Sequence, residues 1–270
     1  MSAPSTTVLD RIVLETRQEL GRRKRDVPLQ SIMAAEPVRA GRRCFRDALS
    51  APGIGVIGEF KRRSPSAGTL NDSPDLREIV AAYERGGAAA LSILTEGPNF
   101  DGSLEDLTVA RASCALPILR KDFIVDAYQL HEARAGGADA VLLIVAALEP
   151  GELRSLHDEA RAMGLDVLVE VHDGEELRRA LSVGAEIVGI NNRDLRDFSV
   201  EVGRTLALAG EVPAGVVVVS ESGIAGAGQL AELERAGVHA VLVGEALMRA
   251  ADPGAAVRAL RTFRRSDGAL

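Results

Sequence analysis

Tryptophan is missing from this chain of 270 residues, and its other large aromatics are 2 Tyr and 6 Phe. The core must therefore be aliphatic, built from Val, Leu, Ile and Ala. Cysteine is nearly missing as well. Cys44 and Cys114 stand far apart, which excludes a disulfide framework and a thiolate zinc site. Each reads as a buried or idle thiol in a reducing compartment. The 4 histidines, His131, His157, His172 and His239, share no ligand spacing with one another or with cysteine. Neither a metal nor a cofactor is expected, and His172 is the histidine nearest a strand end. No run approaches the roughly 18 apolar residues that cross a bilayer. Met1-Ser2-Ala3-Pro4-Ser5 lacks the apolar segment of a signal peptide. A cytoplasmic location without a membrane partner is expected. An excess of basic charge is also lacking: 32 Lys and Arg face 39 Asp and Glu, for a net charge of -7. Such a chain repels phosphate backbones, so nucleic acid is not an expected partner. The run Arg22-Arg23-Lys24-Arg25 follows an amphipathic stretch and reads as a solvated helix C-terminus.

The residues that are present fall into a periodic pattern. Thr7 and Asp10 form a capping-box start, and Val8, Leu9, Ile12, Val13, Thr16 and Leu20 recur at helical spacing. Pro28 and Pro37 break the chain beyond this helix. From Ile54 onward, short apolar runs alternate with Ala-, Glu- and Arg-rich amphipathic stretches. The runs are Ile54–Phe60, Ala89–Thr95, Pro117–Asp122, Ala140–Val145, Asp166–Val171, Glu186–Asn191, Val216–Ser220 and Ala240–Gly244. Continuous runs rich in β-branched residues suit parallel strands buried on both faces. Gly86-Gly87-Ala88, Gly136-Gly137-Ala138, Gly184-Ala185 and Gly237-Val238 read as helix C-caps feeding a strand. The pattern predicts an α/β fold: a single (β/α)8 barrel over 54–270, with residues 1–53 as an N-terminal helical extension packed on it. A doubly wound open sheet is the alternative, disfavoured because no G-x-G-x-x-G follows the first strand.

In such a barrel, chemistry sits at the C-terminal strand ends. Glu59 and Lys61 lie two apart there, so they leave a buried strand on one face. Neither charge is cheap to hold without a partner or a purpose. By the same parity, Leu119 pairs with Lys121, Leu168 with Glu170, Gly189 with Asn191, and Leu142 with Ile144. If those faces point inward, Lys61, Lys121, Glu59, Glu170 and Asn191 converge over an aliphatic floor. Structural ion pairing at the rim is the competing reading, weakened by the number of such residues at one end. Ser222-Gly223 and Gly244-Glu245 lead into helices after the seventh and eighth strands. With Ser64 they suit an anion cradle of backbone N–H groups.

Several segments together carry a family resemblance: Glu59-Phe60-Lys61-Arg62-Arg63-Ser64-Pro65-Ser66, Ser92-Ile93-Leu94-Thr95-Glu96, Phe100-Asp101-Gly102-Ser103 and Leu119-Arg120-Lys121-Asp122-Phe123. They continue through Asp139–Ile144, Leu168-Val169-Glu170-Val171-His172, Gly189–Leu195 and Ser220-Glu221-Ser222-Gly223-Ile224. In this order they closely resemble the indole-3-glycerol-phosphate synthases, the ring-closing lyases of tryptophan biosynthesis. The resemblance implies conversion of 1-(2-carboxyphenylamino)-1-deoxyribulose 5-phosphate to indole-3-glycerol phosphate, CO2 and water. It implies Lys121 as general acid, Glu170 as general base, and Lys61 as the holder of the departing carboxylate. Glu59 and Asn191 would position the hydroxyl lost in dehydration, with Arg193 and Glu221 supporting the charge network. Ser64, Ser222, Gly223, Gly244 and Glu245 match the phosphate site, Glu245 through its backbone N–H alone, because a carboxylate repels phosphate. Phe100, Phe123, Leu142 and Ile144 match the pocket for the anthranilate ring.

An acid that protonates a ketone works best with its proton affinity lowered toward working pH. A Lys beside a second Lys in a desolvated pocket is expected to meet that need, although nearby carboxylates push the other way. A sugar-phosphate substrate and a monomer or weak homo-oligomer are expected. The competing readings are a phosphosugar isomerase of the same barrel class, a Schiff-base aldolase using Lys121, and a non-catalytic binder of phosphate ligands.

Overall fold

Every apolar run from Ile54 onward becomes a parallel strand, and each strand is followed by a helix. A computed structural model describes residues 7–34, 41, 43–70, 74–194, 199–224 and 226–261. Pro37 and Leu195 lie outside the described residues. The strands are β1 (Gly55–Phe60), β2 (Ala90–Leu94), β3 (Ile118–Lys121), β4 (Ala140–Ile144), β5 (Asp166–Val171), β6 (Ile187–Asn191), β7 (Val217–Glu221) and β8 (Ala240–Val243). They follow chain order around a closed ring in which β8 pairs with β1. The boundaries fall within two residues of the expected runs, the scatter normal at element ends. A short antiparallel ribbon, Arg63–Ser64 against Gly68–Thr69, sits in the loop after β1.

Among its described residues the leader holds three helices: α1 (Val8–Asp26), α2 (Leu29–Ala34) and α3 (Phe45–Leu49). Thr7 and Asp10 form the capping box at the start of α1. The outer ring comprises α4 (Leu76–Gly86), α5 (Glu105–Ser113), α6 (Ala127–Ala135), α7 (Pro150–Ala162), α8 (Gly174–Ser182), α9 (Gly203–Ala209), α10 (Ala227–Arg235), α11 (Glu245–Met248) and α12 (Pro253–Arg261). Gly87 closes α4 with φ +86°, a conformation that side chains other than glycine resist, and so turns the chain directly into β2. Among the described residues, no helix is long and apolar enough to cross a membrane.

Parity holds around the whole ring. Ile57, Ala90, Leu119, Leu142, Leu168, Ile187, Val219 and Leu242 belong to one buried apolar cluster inside the barrel. The register keeps the inward set together: Leu119 lies opposite Ala140, Leu142 opposite Leu168, Leu168 opposite Ile187, and Gly189 opposite Val219. A slip of one residue would turn a whole strand inside out. The intervening residues, among them Val56, Leu91, Val141 and Val169, pack outward under the helices.

Phe45 and Leu49 of α3 are fully buried within the interior cluster and close the N-terminal end of the barrel. Buried carboxylates at that end hold them there. Asp166 accepts from the backbone N–H groups of Phe45 and Arg46 at 2.8 and 3.1 Å. Asp139 pairs with Arg111 at 2.8 Å and accepts from the N–H of Ile118 and of Arg43. The basic end of α1 is exposed at Arg22, Lys24 and Arg25, as expected, while Arg23 is half-buried. Lys24 meets Asp126 at 2.6 Å, Arg23 meets Glu132 at 3.4 Å, and the Tyr128 hydroxyl donates to the carbonyls of Arg23 and Val27. The cause is tertiary: α6 brings its acids alongside, which no local pattern in the leader reveals. Leu9 and Ile12 reach the same interior cluster as Phe123 and Ile144.

Removing the Phe45 ring should open a cavity in a site that has little freedom to collapse. Phe45→Ala is expected to cost about 3–5 kcal/mol of unfolding free energy, measured by urea denaturation followed by circular dichroism. A loss below about 1 kcal/mol would mean that α3 does not plug the barrel.

Candidate active site

At the opposite, C-terminal end of the strands lies a cavity of about 470 Å³. That volume suits a small organic ligand. Every candidate residue named from the sequence borders it: Glu59, Lys61, Ser64, Phe100, Lys121, Phe123, Leu142, Ile144, Glu170, Asn191, Arg193, Glu221, Ser222, Gly223, Gly244 and Glu245. They fall into three sectors.

The first sector is charged. Lys121 Nζ stands 3.4 Å from Glu170 Oε2 and 3.7 Å from Glu221 Oε2, while Lys61 Nζ pairs with Glu59 Oε1 at 2.6 Å. Asn191 Nδ2 donates to Glu170 Oε1 at 3.1 Å, and Asn191 Oδ1 accepts from the Arg193 N–H at 3.0 Å. Arg204 on α9 donates to the Asn191 carbonyl at 3.0 Å. Two glycines make room for the acids. A Cβ at Gly189 would collide with Glu221 Oε1, and one at Gly244 would collide with Glu59 Oε1. Glycine at 244 therefore serves the acid on β1 as well as the turn into α11.

The second sector is apolar. Phe100 and Phe123 face each other with ring centroids 6.2 Å apart, beside the buried Leu142 and Ile144. The third sector is made of tight turns. Ser222 and Gly223 follow β7 with φ +65° and +71°, and Asn192 Nδ2 pins the turn by donating to the Ser222 carbonyl at 3.0 Å. A left-handed serine is strained, and strain of this kind concentrates at ligand sites. A Cβ at Gly223 would come within 2.7 Å of Val200, so the turn has no space for a side chain. Ser64 and Ser66, whose hydroxyls lie 3.4 Å apart in the loop after β1, border the cavity together with Gly244, and Arg249 at the end of α11 donates to the Ala67 carbonyl of that loop at 3.5 Å. The Glu245 carboxylate is occupied by Arg249, whose Nε donates to it at 3.2 Å.

The electrostatics correct one expectation. Lys121 does not have a second lysine as its main neighbour. Burial disfavours its charge, but Glu170, Glu221 and Glu59 outweigh burial and hold its pKa above the ordinary lysine range. Burial likewise opposes the Glu170 carboxylate, yet Lys121, His172 and the Asn191 amide bring its pKa below the usual glutamate value. Glu221 is the exception. Burial and then the neighbouring Glu170 push it up to about 8, against the pull of Lys121. Its Oε1 has no hydrogen-bond partner among the described residues. The two acids that face Lys121 are therefore separated, Glu170 held ionised and Glu221 held protonated near neutrality.

Comparison with known proteins decides the family. The family model for indole-3-glycerol phosphate synthase matches residues 9–260. The chain belongs to the indole-3-glycerol phosphate synthase family. Indole-3-glycerol phosphate synthase 2 of Streptomyces coelicolor is 50% identical over 256 residues, covering 94% of this chain and 98% of that one. The synthase of Mycobacteroides abscessus is 46% identical over 258 residues, covering 96% and 95%. Among solved structures, a 3-hexulose-6-phosphate synthase matches 78% of this chain and 99% of its own with a TM-score of 0.62 at 17% identity. A thiamine phosphate pyrophosphorylase from Pyrococcus furiosus matches 81% and 96% with a TM-score of 0.58 at 19% identity. These two likenesses concern the barrel alone. Family membership makes the protein an enzyme, a carboxy-lyase, acting on a phosphorylated sugar derivative.

Sequence reasoning missed several residues at this cavity. Arg249, Asp122 and Ile224 also border the cavity. Arg249 carried one signal, a position four residues after Glu245 on a helical stretch, where opposite charges meet. Arg204 carried none, because its contact with Asn191 depends on how α9 folds back onto β6.

A carboxyl whose pKa climbs from 4.5 in the open chain to about 8 on folding binds its proton more tightly when folded. Its contribution to stability is full below the lower value and is lost as pH rises through the upper one. Glu221→Gln stays neutral throughout. Its melting temperature relative to the parent is expected to rise between about pH 5.5 and pH 8.5. A difference that stays flat with pH would show that Glu221 is not buried as a protonated acid.

Proposed function

We propose that the enzyme closes the indole ring of 1-(2-carboxyphenylamino)-1-deoxyribulose 5-phosphate, releasing CO2 and water. The observation that carries the residue assignment is the facing pair of Lys121 Nζ and Glu170 Oε2, 3.4 Å apart between an apolar wall and a cradle of small residues. The aromatic ring of the substrate would stack between Phe100, Phe123, Leu142 and Ile144. The phosphate would accept from backbone N–H groups at Ser222, Gly223, Gly244 and Glu245 and from Ser64. The Glu245 side chain fits this arrangement because Arg249 neutralises it.

In this scheme the ring carbon bearing the carboxylate attacks the ketone carbon, and a C–C bond forms. Lys121 gives its proton to the ketone oxygen, which becomes a hydroxyl. Its carboxylate neighbours keep Lys121 loaded with that proton until the oxyanion develops beside it. The carboxylate, held by Lys61, leaves as CO2, and its bonding electrons restore the ring. Glu170 then removes the proton from the methylene carbon beside the nitrogen. The hydroxyl departs as water with a proton returned by the lysine–glutamate set, and the indole double bond forms. Glu59 and Asn191 hold that hydroxyl, while Arg193 and Glu221 support the charges. The acid–base set favours this scheme over an isomerase of the same barrel class, whose chemistry would use a cysteine on the first strand and an aspartate on the fifth, where Glu59 and Glu170 stand instead.

We further read residues 1–53 as an extension of one structural domain with 54–270. The described parts of the leader plug one end of the barrel and pack along α6. The net charge of -7 supports small-molecule rather than nucleic-acid partners, and we read the protein as a cytoplasmic monomer or weak homo-oligomer.

Lys121→Met and Glu170→Gln should each lower kcat by at least about 100-fold while KM shifts only a few-fold. The protein has no Trp, so indole fluorescence reports product directly. Turnover above about a tenth of the parent in either variant would remove that residue from the scheme.

A further inference from the structure

His172 is a buried titratable group beside the active site with no part in the ring closure proposed for Lys121 and Glu170. It leaves the end of β5 two residues after Glu170, with its side chain 10% exposed. Its Nδ1 lies 3.0 Å from Glu176 Oε2, and the same oxygen accepts from the His172 backbone N–H at 2.7 Å. Glu176 sits in the first turn of α8, whose N-terminus is capped by Asp173. On the other side of the ring, Nε2 lies 3.6 Å from Glu170 Oε1 and has no hydrogen-bond partner among the described residues.

The proton positions are set by the partners. Nδ1 faces a carboxylate at hydrogen-bond distance, so it carries a hydrogen. A lone pair at Nε2 would then point at the Glu170 carboxylate and repel it, whereas an N–H would attract it. We propose that His172, clamped by Glu176, is a positioning residue that holds Glu170 Oε1 from behind through an N–H at Nε2. Asn191 holds the same oxygen at 3.1 Å, which leaves Oε2 as the oxygen turned toward Lys121. The inference rests on Glu170 being the base.

The surrounding charges suit a proton at Nε2. His172 is faced by Glu170, by Glu176 from α8 and by Arg204 from α9. Burial opposes the imidazolium, as does Arg204, but the Glu176 hydrogen bond and the two carboxylates outweigh them and raise its pKa. Glu170 is faced in turn by Lys121 from β3, Asn191 from β6, Glu221 from β7 and His172 itself. Removing the His172 charge takes one cation from Glu170. The base then protonates at higher pH, and the acid limb of the rate profile moves up.

The test compares pH profiles of kcat and kcat/KM for the parent, His172→Ala, His172→Gln and Glu176→Gln. The glutamine at 172 restores an N–H near the Nε2 position without charge. His172→Ala is expected to lose about 10-fold in kcat with KM nearly unchanged, and His172→Gln to recover most of that loss above the acid limb. All three variants should move the limb up by about 0.5–1 pH unit. Superimposable profiles, or a loss confined to KM, would overturn the proposal. A second readout needs no turnover: the NMR titration midpoint of the His172 ring should fall in both Glu176→Gln and Glu170→Gln. An unchanged midpoint in either overturns the clamp. Activity retained in Glu170→Gln together with a fallen midpoint would instead remove Glu170 as the base and leave the contact standing.

Discussion

The interior of this barrel depends on one costly arrangement: the Lys121 ammonium, desolvated above an aliphatic floor, with Glu170 and Glu221 both within 4 Å. Burying charge there is unfavourable unless each group finds a counter-charge. The surplus of carboxylates over lysines in the cluster has a definite outcome. Glu170 stays ionised because Lys121, His172 and Asn191 all favour its anion against burial, whereas Glu221 takes up a proton. Two identical side chains thus hold different proton states at one pH, which is the condition for an acid and a base to coexist in one pocket.

Holding such a cluster requires rigidity from below. The inward faces of all eight strands supply it, and α3 completes it by filling the N-terminal end with Phe45 and Leu49. The two ends of the barrel use buried charge for different purposes. Asp139 and Asp166 at the closed end are saturated by Arg111, Arg43, Phe45 and Arg46, and hold the leader in place. At the open end, Glu221 Oε1 and His172 Nε2 lack hydrogen-bond partners among the described residues.

The barrel was legible because its signals are local. Continuous Val-, Ile- and Leu-rich runs and glycines such as Gly87 can be read one segment at a time, and the parity of Glu59 with Lys61, or of Leu119 with Lys121, is a property of any extended chain. The family motifs then named most of the residues that the cavity brings together. The hidden part was set by register and by helix placement. Which carboxylates face Lys121 depends on the stagger that sets Asn191 opposite Glu221 and Ile144 opposite Glu170. The upward direction of the Lys121 pKa follows from those neighbours, whose number and closeness outweigh the burial and the second lysine that the sequence set against them. The half-burial of Arg23 was hidden for the same reason, since its partner Glu132 lies far along the chain, on α6.

Glycine at 189 and 244 illustrates how the site limits its own variation. Both positions point into the barrel, where a parallel strand would normally place a packing side chain. At each, the space of a Cβ is already taken by a carboxylate oxygen from another strand: Glu221 over Gly189 and Glu59 over Gly244. The acids are thereby seated against backbone, where their rotamers are few and desolvation is high. A larger residue at either glycine would push the acid out toward the cavity and water, and the separation of proton states would shrink as the local dielectric rose. Backbone exposure at these two points is therefore a structural requirement of the charge cluster, independent of any contact that Gly244 makes with a ligand.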